Sequence, residues 1–260
     1  MIVRFRHLPP ASLLLVVLAA CQQGATADEG GTWVPEVVAR YSHDSNAFLQ
    51  GLLFHDGKFY ESTGIRGQSS LRRVQISTGR IEQQIDLDSR YFAEGLALAG
   101  DKLFQLTWQS GTGFVYRLDD FSLIDTFQYD GEGWGLTFDG EQLVMSDGTA
   151  SLRFIDPENF QVQRTVVVTA DGMPLDKLNE LEYIDGEVWA NIWYDDRVAR
   201  IDPEDGHVRG WIDLSALFPA AQRPREAVVN GIAWDPDSDR IFVTGKLWPA
   251  VFEVKFSERD

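Results

Sequence analysis

The sequence of 260 residues sets 40 acidic side chains against 23 basic ones, a formal net charge of −17. That balance excludes a protein that grips a nucleic-acid backbone, because phosphate must be met by Lys and Arg. With 44% hydrophobic and 12% aromatic residues the chain has ample material for a buried core, and its single cysteine excludes an internal disulfide or a cysteine-built zinc site.

The chain opens on Arg4 and Arg6, followed by an apolar run from Ala11 to Ala20 that is too short to span a bilayer as a helix. It ends Leu18-Ala19-Ala20-Cys21, which resembles the lipobox of bacterial lipoproteins. The resemblance implies removal of residues 1–20 as a signal peptide and lipid on Cys21, hence an exported, periplasmic protein anchored to a bacterial membrane. Gln22 follows Cys21, with no Asp there, so the outer membrane is the expected destination. Residues 21–32 are small and polar and read as a tether.

From Pro35 to Tyr41 the chain reads as a strand without a repeat of its own. A five-residue phrase then recurs five times, as Gln50–Phe54, Glu94–Leu98, Trp134–Phe138, Asn179–Tyr183 and Asn230–Trp234. Its third and fifth positions are apolar in every copy, the period of a strand with one buried face. The copies start 44, 40, 45 and 51 residues apart, a spacing that predicts a β-propeller with about four strands per repeat. Turn signals such as Asp56-Gly57 and Asp185-Gly186 lead each phrase into a second strand. Third strands are expected at Ser70–Gln75, Gly113–Leu118, Ser151–Ile155, Arg197–Ile201 and Val251–Val254. Fourth strands are expected at Arg80–Leu87, Leu123–Tyr129, Val162–Thr169 and His207–Ile212. The fifth repeat lacks a fourth strand, so the N-terminal strand is expected to supply it and remove an exposed edge. The expected architecture is therefore all-β: a five-bladed propeller over residues 33–260, closed by its N-terminal strand. One interruption, Asp213–Phe218, is expected to form one or two helical turns capped by Asp213 and stopped at Pro219, with loop over 219–228.

First strands line a propeller's central channel, so equivalent positions make a ring. The phrase's first position gives Gln50, Glu94, Trp134, Asn179 and Asn230. A second ring at the end of the second strand gives Gly64, Trp108, Gly148, Trp193 and Lys246. Unlike residues at equivalent positions mark a site, and tryptophans with a few placed polar groups are the usual build of a small-ligand pocket. Trp189, Trp211, Trp234 and Trp248 are assigned to packing. The four histidines show no ligand spacing, and no metal site or cofactor is assigned from the sequence; Asp and backbone carbonyls leave no clear motif, so a structural ion in the channel stays open.

Phe48-Leu49-Gln50-Gly51-Leu52, Tyr60-Glu61-Ser62-Thr63-Gly64, Glu94-Gly95-Leu96, Leu106-Thr107-Trp108, Gly133-Trp134-Gly135-Leu136-Thr137, Leu178-Asn179-Glu180-Leu181-Glu182-Tyr183, Ala190-Asn191-Ile192-Trp193, Asn230-Gly231-Ile232-Ala233 and Thr244-Gly245-Lys246-Leu247-Trp248-Pro249 resemble the plant- and bacterial-type glutaminyl cyclases. The resemblance spans residues 38–256 and implies a metal-independent glutaminyl-peptide cyclotransferase. Such an enzyme converts N-terminal glutamine of a peptide or protein to pyroglutamate with release of ammonia. It implies a pocket of Phe48, Gln50, Glu94, Trp108, Trp134, Asn179, Trp193 and Lys246. Glu94 is expected to shuttle the proton and Lys246 to supply positive charge. The tryptophans would cage the substrate while Gln50 and Asn179 hold its polar groups. A monomer is expected. Two alternatives stand beside this reading: a non-catalytic ligand-binding propeller on a lipid anchor, and a propeller glycosidase. The latter chemistry needs two opposed carboxylates, and the rings supply one.

Overall fold

The computed structural model describes residues 31–259 and Ile2. Cys21, the tether up to residue 30 and the signal segment apart from Ile2 lie outside the described residues. Strand β1 (Thr32–Ser42) is followed by a four-stranded sheet of β2 (Leu49–His55), β3 (Lys58–Thr63), β4 (Ser70–Gln75) and β5 (Arg80–Asp86). A second contains β6 (Ala93–Ala99), β7 (Lys102–Thr107), β8 (Thr112–Arg117) and β9 (Leu123–Gln128), and a third β10 (Leu136–Phe138), β11 (Leu143–Ser146), β12 (Ser151–Ile155) and β13 (Val162–Val167). The short strands β14 (Thr169–Ala170) and β15 (Met173–Pro174) pair as a small hairpin. The remaining strands are β16 (Leu178–Ile184), β17 (Glu187–Ile192), β18 (Arg197–Ile201), β19 (Val208–Asp213), β20 (Val229–Asp235), β21 (Arg240–Gly245) and β22 (Ala250–Glu258). With β1 they form one eight-stranded sheet in the order β16-β17-β18-β19-β1-β22-β21-β20.

The N-terminal strand does more than cover one edge. It pairs antiparallel with β22 from Trp33↔Glu258 to Ser42↔Ala250, as expected, and also parallel with β19 through Thr32↔Trp211 and Trp33↔Ile212. One strand thus satisfies two sheet edges that would otherwise be open.

Apolar clusters join each sheet to the next. Leu53, Tyr60 and Leu71 pack against Leu96, Leu103 and Tyr116. The second and third sheets meet around Phe104 and Met145, and the third meets β16–β19 around Phe154 and Leu181. Strands β16–β19 then pack on β20–β22, and these strands pack back on the first sheet through Phe242 and Phe59. The cycle is propeller-like, with the phrase-bearing strands innermost. Glycine at the second position lets those strands touch: a Cβ at Gly135 would lie 1.9 Å from the carbonyl oxygen of Asn179. In the fourth copy Glu180 replaces the glycine. Its buried carboxyl accepts from Leu52 N (3.3 Å) and Ile232 N (3.0 Å), joining β16 to β2 and β20.

The expected helix at Asp213–Phe218 is not formed. Asp213 Oδ1 accepts from Ser215 N (3.0 Å) and Leu217 N donates to Leu214 O (3.0 Å), which makes turns only. Six residues before a proline are too few to offset helix nucleation. A single 3-10 turn instead occupies Ala220–Gln222, inside the stretch read as loop. Trp189 and Trp248 are buried, and Trp211 and Trp234 pack on the core, as their assignment to packing requires.

Candidate active site

The inner strands carry a β-bulge where the phrase begins. Register slips between Leu49 and Gly51, Ala93 and Leu96, Leu178 and Leu181, and Val229 and Ile232, so one extra residue stands at copies one, two, four and five. A bulge breaks the strict alternation of side chains and re-aims one of them. Gln50, Glu94, Asn179 and Asn230 all sit at these bulges.

All eight predicted pocket residues line one cavity of about 230 Å³, together with Phe92 and Glu226. The aromatic walls are built from edge-on contacts. Phe92 bridges Phe48 (6.0 Å) and Trp108 (5.7 Å), and Trp134 meets Trp193 at 5.4 Å and 87°. Gly148 of the second ring leaves room for this wall, since a Cβ there would lie 2.7 Å from the Trp134 indole.

The polar groups are few and deeply set. Glu94 is 4% exposed, and its Oε1 accepts from Gln50 Nε2 at 2.8 Å. Asn230 Nδ2 donates to Gln50 Oε1 (3.2 Å) and to Leu49 O (3.0 Å). That bond engages the oxygen of the Gln50 amide and turns its NH2 toward Glu94. Gln50 therefore serves the carboxyl first, whereas the sequence suggested a direct role on substrate. Asn179 Oδ1 is buried and has no hydrogen-bond partner among the described residues. Asn230 Oδ1, on the same ring, is in the same state, and an unmet buried acceptor is costly. Lys246 Nζ lies 4.9 Å from the centroid of the Phe48 ring.

Burial pushes the Glu94 carboxyl well above the usual carboxylate range, and the charge of Glu132 adds to it; Lys246 and Gln50 pull the other way. Burial lowers Lys246 to about 8, against the opposing pull of Glu94 and Glu226. Burial thus favours the uncharged form of both groups.

Three contributors escaped the sequence reading. Phe92 stands two residues before a phrase and outside either ring. Glu226 lies in the 219–228 loop, where no repeat fixes its place; both its oxygens accept from Tyr194 Oη at 2.9 Å. Asn230 was placed in the ring but given no role. Elsewhere, Asp202, Asp205 and His207 come within 4.8 Å of one another around the β18–β19 turn. These groups are engaged locally, His207 with Asp205 and Asp202 with Arg209.

A buried carboxyl and a buried amine line an aromatic cavity on an all-β, propeller-like scaffold, an arrangement suited to proton transfer on a small polar group. Comparison with known proteins gives the family. The glutamine cyclotransferase family profile matches residues 11–256. Glutaminyl-peptide cyclotransferase of Arabidopsis thaliana is 46% identical over 228 residues, covering 86% of this chain and 71% of the relative. The crystal structure of Myxococcus xanthus glutaminyl cyclase superposes with a TM-score of 0.84 at 42% identity, covering 89% of this chain and 100% of the other. The WD40 β-propeller domain of Doa1, at 15% identity and a TM-score of 0.50 over 80% of this chain and 63% of its own, shares the fold alone. The chain belongs to the glutamine cyclotransferase family.

Proposed function

We propose that the cavity converts N-terminal glutamine of peptides or proteins to pyroglutamate, with Glu94 moving the proton. The observation that carries this is the buried Glu94 carboxyl, oriented by Gln50 inside an aromatic cavity of about 230 Å³. The substrate's α-amine nitrogen attacks its own side-chain carbonyl carbon. From the neutral amine, a C–N bond forms, the bond to the carboxamide nitrogen breaks, and one proton passes from the amine to the departing ammonia; an amine bound as the cation first gives up its extra proton, which leaves with the ammonia as ammonium. An α-amine has a pKa of about 7.7–8.0. A carboxyl whose proton affinity is raised by burial can accept the amine's proton and return it to the leaving nitrogen. Asn179 lines the cavity and offers its side-chain amide to the substrate's carboxamide. Lys246 places positive charge where the carbonyl oxygen gains electrons. The indoles hold the side chain in a ring-forming geometry and exclude water. All of this proceeds on the chain's own residues, with no metal required.

The same reading extends to the architecture and the N-terminus. The eight-stranded sheet is two blades joined through β1, giving five blades in one domain over residues 33–260. The mature protein acts as a periplasmic monomer held at a membrane, the outer one in our reading, by lipid on Cys21. Cys21→Ser should then move it from the membrane fraction to the soluble one.

The test is ammonia release from a short peptide beginning with Gln, by residues 22–260 after exhaustive chelation, with the free amine followed in parallel. Release with matching loss of the amine is expected. Release with the amine retained would mean amide hydrolysis. No release from folded protein would overturn the reading in favour of a binding propeller or a glycosidase.

A further inference from the structure

Two of the cavity's three indoles are also anchored from outside it. Trp108 Nε1 and Trp134 Nε1 both donate to one oxygen outside the lining, Oε2 of Glu132, at 2.7 and 2.9 Å. Its Oε1 accepts from Gln109 Nε2 at 3.0 Å. Trp108 directly follows the second sheet's second strand, and Trp134 opens the third sheet's phrase. One carboxylate thus ties together aromatic walls from two sheets.

The segment that presents Glu132 is itself fixed on several sides. Gly131 takes φ +81°, a turn conformation that a side chain disfavours. Gly133 N donates to Trp108 O at 3.0 Å, and Arg153 Nη1 donates to Asp130 O at 2.8 Å. Arg153 also pairs with Asp147 at 2.6 Å. Burial raises the proton affinity of Glu132, but hydrogen bonds from Gln109, Trp134 and Trp108 outweigh it and hold the carboxyl below its usual range. The group is an anion at working pH. Hydrogen bonds to an ionised acceptor are shorter and stronger than neutral ones. An indole whose N–H donates to an anion also carries more negative charge on its ring face, the face that attracts a cation.

We infer that Glu132 is a positioning residue of the active site, which fixes Trp108 and Trp134 and primes their faces to receive the substrate's cationic N-terminus. This rests on the cyclotransferase reading and deepens it. The cavity selects a peptide amine partly through two anion-backed indoles.

Two variants and two kinds of readout test it. In Glu132→Ala the indoles lose their acceptor, and KM for a Gln-peptide should rise about tenfold, the effect of one charge-assisted hydrogen bond. In Glu132→Gln a neutral acceptor remains, so part of that rise should be recovered. Loss of the charge should still shift the pH dependence of kcat. Of the groups facing Glu94, Lys246 and Gln50 remain and Glu132 no longer repels, so the limb set by Glu94 moves to lower pH. Asp147, which faces Glu132, stays paired with Arg153 in both variants. The second readout needs no turnover. The indole N–H proton resonances of Trp108 and Trp134, assigned through Trp108→Phe and Trp134→Phe, should move upfield in Glu132→Gln.

A residue that only supports the fold would lower thermal stability in Glu132→Ala and leave KM and the pH limb in place. That result, or unmoved indole resonances in Glu132→Gln, overturns the inference. Should Glu132→Ala fail to fold, Glu132→Gln decides alone through the resonances and the pH limb. Should the parent protein release no ammonia, the function reading fails, and the resonances still report whether Glu132 holds the indoles.

Discussion

Two buried glutamates separate what burial does from what a site does. Glu94 stands at the first position of the second phrase and Glu180 at the second position of the fourth. Both are nearly inaccessible, and burial raises the proton affinity of both well above the carboxylate range. Their partners differ. Glu180 spends both oxygens on backbone N–H groups of β2 and β20. Glu94 meets a single side-chain amide, lines a cavity and feels an ammonium. A perturbed carboxyl is therefore a weak sign of chemistry here. An open oxygen facing a ligand-sized space is the stronger one.

The comparison breaks most sharply in turnover. Glu94→Gln keeps the shape and the bond to Gln50 but cannot carry a proton. Its kcat should fall by about 10²–10⁴-fold, the usual weight of general acid–base catalysis, with the circular dichroism spectrum and melting temperature preserved. Near-parental ammonia release would remove Glu94 from the mechanism.

Glu180 should behave in the opposite sense. Glu180→Ala strands two buried N–H groups, those of Leu52 and Ile232, at about 1–3 kcal/mol each. Part of that cost is offset because a buried carboxyl disappears. A net loss of about 2–4 kcal/mol in urea unfolding is expected, with near-parental kcat in the folded fraction. A stable variant that had lost its activity would mean that Glu180 belongs to the chemistry after all.

This contrast was half legible in the chain. The repeat and its turn signals located most strands to within a residue or two, because apolar alternation and Asp-Gly turns are local properties; β1 and β22, which pair with each other, run three and four residues beyond their expected ends, and the β14–β15 hairpin was not foreseen. Seven of the eight pocket residues were also within reach, because a repeat turns sequence position into a place on a ring; Phe48, two residues before a phrase like Phe92, came only from the family resemblance. What stayed hidden depends on contacts across the ring. Glu180 looked like a breach of the glycine pattern, and only the approach of β2 and β20 shows what it joins. Glu132 lies between two repeats, and its partners are 24 residues before it and 2 residues after it. Glu226 sits in a loop with no period. The second pairing of β1, to β19, was equally unreadable, since a parallel contact of two residues leaves no pattern.

Glu182 extends the comparison to pH. Burial pushes its carboxyl up to about 8, against hydrogen bonds from Trp234 N and Thr137 Oγ1. The unfolded chain ionises near the ordinary glutamate value of about 4.3. Below that value the group is protonated in both states and its stabilising effect is fully present. As pH rises the unfolded state ionises first, and stability is lost until the folded group also ionises near 8. Across this window the loss approaches about 5 kcal/mol, and Glu182→Gln should flatten that part of the stability curve. Parallel curves for the two proteins would mean that solvent already reaches the carboxyl.

The smallest effect tests how the rim acts on the interior. Lys246 titrates at about 8 because burial lowers it while the charges of Glu94 and Glu226 restore part of the loss. Glu226 is exposed and shares its oxygens with Tyr194, so solvent screens much of its influence. If protonated Lys246 stabilises the oxyanion, kcat declines as pH rises through about 8. Glu226→Gln removes a charge that favours the ammonium, so the decline should begin earlier, by a few tenths of a pH unit at low salt and less at high salt. In Glu94→Gln the decline cannot be read for want of turnover. The sharper control is therefore Lys246→Met, which should lose the basic limb together with most of its rate. A basic limb that survived in Lys246→Met would assign that titration to another group and leave Lys246 as a packing residue beneath Phe48.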